Sequence, residues 1–233
     1  IATSTLNSFV DCDSLDTDIY VPSLSTGDSI FTRMEKFNKS MKFLNVNSTY
    51  GFFYMCVALN SIIEAPNTLT AHAMFELCSS YNQYIYFPLA KNCDRLIGSC
   101  RAFDNIANLP SCSSAINAFQ YTGMSARNIA KTLNSLPKWT DGTVHTITFR
   151  GCPGIEWEET TETFNGVANC PKFTKDTEGK ALRKAFAKAV SNGWTVEIGT
   201  ATNAASTMSL RKLQYYKKTE SEYGDYIDSE GKT

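Results

Sequence analysis

Eight cysteines, two histidines and a cluster of glutamates are the side chains in this chain from which nucleophilic catalysis, cross-linking or metal binding would be built. A cysteine nucleophile needs a neighbouring base to make its thiolate. The candidate bases are His72 and His145. Neither stands beside a cysteine in the register developed below, and His145 opens a predicted strand far along the chain. There is no C-x-x-C pair, no H-E-x-x-H and no glycine-rich phosphate loop. Glu156, Glu158, Glu159 and Glu162 fall within residues 155–168, but a calcium loop would need regularly spaced Asp or Asn with a Gly at the bend. That stretch is expected to be a solvated acidic insertion. The remaining carboxylates are scattered, and nothing selects a glycosidase pair among them. The sequence therefore predicts no enzyme: no catalytic residue, no metal site and no cofactor.

Composition narrows the partners. The 233 residues carry 22 basic and 23 acidic side chains, a net charge of −1, which excludes a nucleic-acid binder that works by neutralising phosphates. Charged residues are 19% and apolar residues 42%, enough apolar surface for a packed core. No apolar run approaches the roughly 20 residues of a membrane-spanning helix, so no membrane insertion by this segment is expected. Residues 1–11 lack the basic start and apolar stretch of a signal peptide. With Ile at position 1, the chain is expected to be a segment of something longer or a processed product.

The elements that must position these residues come from a repeat. Cys12, Met34, Cys56, Cys78, Cys100 and Thr122 follow one another at steps of 22 residues. Three residues before them stand Phe9, Phe31, Phe53, Phe75, Ile97 and Phe119, and three after stand Leu15, Phe37, Leu59, Tyr81 and Phe103, with Ser125 breaking the column. At the same period run Ile19, Met41, Ile63, Ile85, Ala107 and, two residues on, Val21, Phe43, Ala65, Phe87, Leu109. An offset of two is the periodicity of a strand with one face inward. Pro22, Leu44, Pro66, Pro88 and Pro110 then mark a turn. Thr26, Ser48, Thr70, Asn92 and Ser114 are helix N-cap residue types, and four residues later Ile30, Phe52, Met74, Leu96 and Ala118 adjoin the Phe column. Each unit thus predicts a short helix carrying the apolar pair, then a short strand. One unit cannot bury its own apolar face; stacked units can.

The pattern F-x-x-C-x-x-L, then an apolar strand and Pro, resembles the cysteine-containing leucine-rich repeats of the BspA-like type. Those repeats occur in surface proteins of gut and oral bacteria, in some protists and in bacteriophages of gut bacteria. The resemblance covers about residues 4–125 and implies an α/β leucine-rich-repeat solenoid, a scaffold for binding with no shared catalytic residues. The expected organisation is a repeat array over 1–125, C-terminal helix-strand repeats forming a cap over 126–200, and a last strand with a polar tail over 201–233. In the cap, helices are predicted at 126–137 and 179–192 and strands at 143–150 and 194–198. The phrases N-S-L-P with T-I-T-F-x-G-C-P-G, and N-G-W-T-V, resemble segments that end leucine-rich-repeat proteins of Bacteroides and their phages.

The register also speaks to redox state. Met34 shares the column of Cys12, Cys56, Cys78 and Cys100 and cannot cross-link; Cys93 aligns with Ala71 and Ala115, and Cys112 with Leu24, Val46 and Ala90. These six are expected to be buried free thiols. Cys152 and Cys170 lie outside the array, and their pairing is left open.

Binding is expected on the residues that alternate with the inward columns. One outward row is Asp18, Ser40, Ile62, Tyr84, Ile106; the next is Tyr20, Lys42, Glu64, Tyr86, Asn108. Of these, Tyr20, Lys42, Ile62, Glu64, Tyr84, Tyr86, Ile106 and Asn108 are the candidate contact residues. Tyrosine offers a flat apolar area and one hydroxyl, suited to protein or sugar surfaces. The resemblance implies a tail- or fibre-associated phage protein in a virion, recognising a bacterial surface protein or glycan. The alternatives are a bacterial cell-surface or secreted adhesin, and an architectural subunit that contacts only other virion or surface proteins.

Overall fold

The computed structural model of the protein describes residues 4–198 other than 16, 18, 20, 22, 156, 174 and 175. Residues 22 apart lie on neighbouring coils, and parallel backbone ladders join each coil to the next. Strand β1 (Ser4–Leu6) pairs in parallel with β2 (Thr26–Asp28). The same line continues as parallel bridges Ser48–Thr70, Thr70–Asn92 and Asn92–Ser114. A second line contains β3 (Met41–Lys42), β4 (Ile63–Glu64), β5 (Ile85–Tyr86) and β6 (Ala107–Asn108). Met41 is in register with Ile63, and Ile85 with Ala107.

The short helix expected in each repeat is not there. The N–H of Phe31 donates to the Phe52 carbonyl at 2.8 Å, that of Phe53 to Met74 at 2.9 Å and that of Phe75 to Leu96 at 2.8 Å. These amides bond across to the next coil instead of back along their own. Two left-handed residues bracket each apolar pair and stop any helix: Ser29 and Arg33, Gly51 and Met55, Ala73 and Leu77, Arg95 and Ser99. Only one of these eight is glycine. Each other residue stands against a left-handed penalty of about 1–2 kcal/mol, offset by the bond its own N–H makes to the adjoining coil. Thr26, Ser48, Thr70, Asn92 and Ser114 are therefore rungs of a ladder and not helix caps.

Inside the stack the columns pack as like on like. Phe31 and Phe53 stack with ring centroids 5.2 Å apart, and Phe53 and Phe75 at 5.8 Å. The Cys56, Cys78 and Cys100 thiols donate to the carbonyls of Phe31, Phe53 and Phe75 at 2.7, 2.8 and 2.8 Å. On the outside runs a polar ladder. Asn38 Oδ1 accepts the Asn60 N–H at 2.8 Å, Asn60 Oδ1 the Asn82 N–H at 2.8 Å, and Asn82 Oδ1 the Asp104 N–H at 2.9 Å.

The C-terminal part closes one end of the stack. Helix α1 (Ala126–Ser135) buries Ile129 and Leu133. Its Thr132 Oγ1 accepts the Ala107 N–H at 3.1 Å and its Ser135 Oγ the Leu109 N–H at 3.2 Å, so two amides at the edge of β6 are satisfied by helix side chains. Strand β7 (His145–Thr148) extends the first ladder, with Ile147 bridged to Ala115. Phe149 stacks on Phe119 at 5.1 Å. The stretch expected to be a solvated insertion is ordered structure: β8 (Trp157–Phe164) and β9 (Val167–Phe173) form an antiparallel hairpin. Asn165 and Gly166, both at positive φ, make its tight turn. Helix α2 (Asp176–Ser191) packs on α1, and β10 (Trp194–Glu197) pairs in parallel with β7. The strand expected in 201–233 lies outside the described residues.

Candidate binding face and the buried reactive residues

The second ladder fixes the candidate face. Met41, Ile63, Ile85 and Ala107 point into the core, as do Phe43, Ala65, Phe87 and Leu109, and all are buried. The residues between them point out by strand alternation. Ile62, Tyr84 and Tyr86 are 55%, 50% and 52% exposed; Ile106 and Asn108 are half-buried. Tyr20, the remaining aromatic candidate, lies outside the described residues. Lys42 and Glu64 are register partners and pair at 2.7 Å. With both side chains more than half exposed, that pair adds at most about 1 kcal/mol, but it cancels the two charges locally. The Asn108 side-chain amide donates to Tyr84 Oη at 3.1 Å and so orients the phenol. The face continues past the strands through exposed Leu89 and Leu44, the latter assigned by the sequence to a turn. The signal for Leu44 was present, since it interrupts a column otherwise made of proline. What such an arrangement offers is contact area on a rigid support: apolar and aromatic, with paired charges.

The residues with reactive side chains sit elsewhere. All eight cysteines are free, Cys152 and Cys170 included. Burial pushes the Cys56 and Cys152 thiols up to about 12, and pushes Cys78 and Cys100 well above the usual thiol range. Contact with the Cys112 thiol, with burial added, does the same to Cys93. Protonated thiols are poor nucleophiles. His72 is half-buried and stacks on Tyr50 at 4.7 Å.

His145 is the best-structured polar group in the cap. Its ring lies against Trp139 at 4.5 Å and near Trp194 at 5.8 Å. Nδ1 is 2.8 Å from the Ser113 carbonyl and must carry a proton, because a carbonyl only accepts. Nε2 is 3.0 Å from Asp141 Oδ1 and 2.7 Å from Thr143 Oγ1. Burial alone would lower the imidazole pKa, but the bonds to Asp141 and Ser113 and the Asp141 charge outweigh it and leave it raised. The bond from His145, with those from Thr143, holds the Asp141 carboxyl down at about 2. Nδ1 thus ties the 139–145 loop to the last coil, and Nε2 holds the turn within that loop. The sequence reading missed this cluster, whose members are scattered from Ser113 to Trp194.

Among the described residues, no group of three or more His, Cys, Asp and Glu side chains gathers as a metal site requires. Nor is any described helix long and apolar enough to cross a membrane. Comparison with protein-family models, with curated proteins and with solved structures finds no match for the chain.

Proposed function

We propose that the chain is a leucine-rich-repeat solenoid of the BspA-like kind that works as a non-enzymatic binding module, presenting its outward strand face to a partner. The observation that carries this is the row of exposed Ile62, Tyr84 and Tyr86 on strands whose inward neighbours are fixed in the core. Large apolar side chains held half exposed on a rigid ladder lose little entropy on docking. The raised pKa of the buried Cys56, Cys78, Cys100 and Cys152 thiols and the engagement of both His145 nitrogens support a role without catalysis. On the resemblance of its repeats, we place the protein in a phage tail or fibre, where the face recognises a protein or glycan of a bacterial surface.

Binding of the chain to a panel of intact gut bacteria and to their purified surface glycans tests the reading, with a Tyr84→Ala/Tyr86→Ala variant alongside. Selective binding that disappears in the variant is expected. Binding that persists in the variant moves the site off this face. Absence of binding by both proteins refutes host recognition and favours an architectural subunit.

A further inference from the structure

Helix α1 lies in the same layer as the outward strand face. Its Asn128 side-chain amide donates to the Asp104 carbonyl at 2.8 Å, and its Thr132 and Ser135 hydroxyls accept the Ala107 and Leu109 amides. These three residues define the flank that runs along β6. Ile129 and Leu133 define the flank turned to the core. The remaining stripe, at i, i+4, i+7, is exposed Arg127, Lys131 and Asn134, on the solvent side next to the outward residues of β6. Helix α2 continues the layer. Lys188 Nζ donates to Asn134 Oδ1 at 3.3 Å, and Lys180, Lys184 and Lys188 form an exposed stripe opposite buried Leu182, Ala185 and Ala189.

The charge on this helical extension is of one sign. Residues 123–140 and 179–196 hold no Asp or Glu, and the acidic residues of α2, Asp176 and Glu178, stand in its first turn. Arg183 is engaged by Glu162 and by the Phe164 ring, 4.4 Å away. Among the described residues no carboxylate pairs with Lys131, Lys180, Lys184 or Lys188. Like charges four residues apart on one helix repel. The strand face does not relieve them, because its Glu64 is already paired with Lys42. The lysine stripe thus lowers the stability of the free protein and is relieved by an anion from outside.

We infer that the ligand of the outward face is an acidic polysaccharide, whose anionic groups bind Lys131, Lys184 and Lys188 while its sugar rings lie on Tyr84 and Tyr86. The inference rests on the reading of the strand face given above and names its ligand. The half-exposed tyrosines offer the flat apolar area and hydroxyl that a sugar ring uses. The cations without carboxylate partners are lysines, compact and strongly hydrated point charges. Lysine is depleted in protein–protein interfaces where arginine is enriched, which sets against an acidic protein. The net charge of −1 sets against a nucleic acid. Reach requires a polymer. Neighbouring strands lie about 4.8 Å apart and packed helices about 8–10 Å, so the tyrosines of β5 and the lysines of α2 are more than roughly 13 Å apart, too far for one sugar to touch both.

The test is fluorescence titration of the full 233-residue chain with labelled polygalacturonate, beside neutral dextran and poly-L-glutamate. In about 0.05 M salt polygalacturonate is expected to bind about tenfold or more tightly than either comparison polymer, and to weaken toward about 0.5 M salt as the charges are screened. K131E/K184E should weaken it by about tenfold or more, roughly 1.4 kcal/mol. The melting temperature of that variant should stay level or rise, because Glu at 184 meets Lys180 and Lys188 one turn away on either side. Tyr84→Ala/Tyr86→Ala should weaken binding as well. No binding to polygalacturonate, equal binding to poly-L-glutamate, or unchanged affinity in K131E/K184E overturns the inference. If K131E/K184E binds intact bacteria like the parent while the tyrosine variant does not, the strand face stands and the acidic ligand falls. If the tyrosine variant keeps full affinity for polygalacturonate, the strand-face reading falls and takes the inference with it.

Discussion

Replacing Phe75 by alanine tests whether the stacked aromatic column holds the fold together. The ring is fully buried, stacked 4.2 Å from Tyr81, 5.8 Å from Phe53 and 6.4 Å from Phe87. An aromatic side chain buries about 150–250 Å², and at about 25 cal/mol per Å² that gives an upper bound near 4–6 kcal/mol. A compact unfolded chain already shields part of that area, which lowers the figure. Neighbours locked by backbone ladders on both sides collapse little into the space, so a cavity penalty adds to it. The expected loss is roughly 3–5 kcal/mol. For a chain of this size that lowers the melting temperature by about 6–20 °C. Urea unfolding followed by circular dichroism measures it directly. Phe9→Ala is the internal control: its ring occupies the same column but is only partly buried, and it should cost roughly 1–2 kcal/mol. A loss under about 1 kcal/mol for Phe75→Ala, or equal losses at the two positions, would refute the argument.

Three further outcomes follow from the geometry. Asn60→Ala removes the acceptor for the Asn82 N–H and should cost about 0.5–1.5 kcal/mol, whereas Asn60→Asp keeps that acceptor and should cost less, as thermal melts of the two variants will show. The His145–Asp141 pair makes stability depend on pH in two directions. The raised His145 pKa contributes fully below about 6.5 and is lost as pH rises through the folded value; the lowered Asp141 pKa contributes above about 3.9 and is lost as pH falls toward about 2. Melting temperature should therefore fall between neutral and alkaline pH in the parent and less so in His145→Gln; a parent profile as flat as the variant's would remove the pair from the account. Thiol titration of unfolded, unreduced protein should find at least six free cysteines, and native protein should react slowly at every site except half-buried Cys12. Three or four disulfides would contradict the buried thiol column.

Much of the stack was legible because repetition turns one weak preference into several coincident ones. A single F-x-x-C-x-x-L says little, but Phe31, Phe53 and Phe75 at one period demand a shared environment, and the structure buries all three. The outward placement of Ile62, Tyr84 and Tyr86 followed from the same register. Two further signals lay in the sequence unread. Asn38, Asn60, Asn82 and Asp104 stand 22 apart and form the polar ladder. Phe149, Cys152 and Ile155 repeat the apolar triplet 30 residues beyond Phe119, Thr122 and Ser125, and the change of period hid them.

By itself, then, the sequence determined the period, the inward columns and the faces left outside, because burial depends on residue type summed over many repeats. The tertiary structure decided the rest. Apolar residues three and four apart suit a helix as well as a turn; the neighbouring coil tipped them to turns by offering carbonyls at 2.8–2.9 Å to amides a helix would have used internally. The seat of His145 between Trp139, Trp194 and Asp141 brings together residues 4, 6 and 49 positions away, a proximity made when β10 pairs with β7 and not recorded in any local pattern.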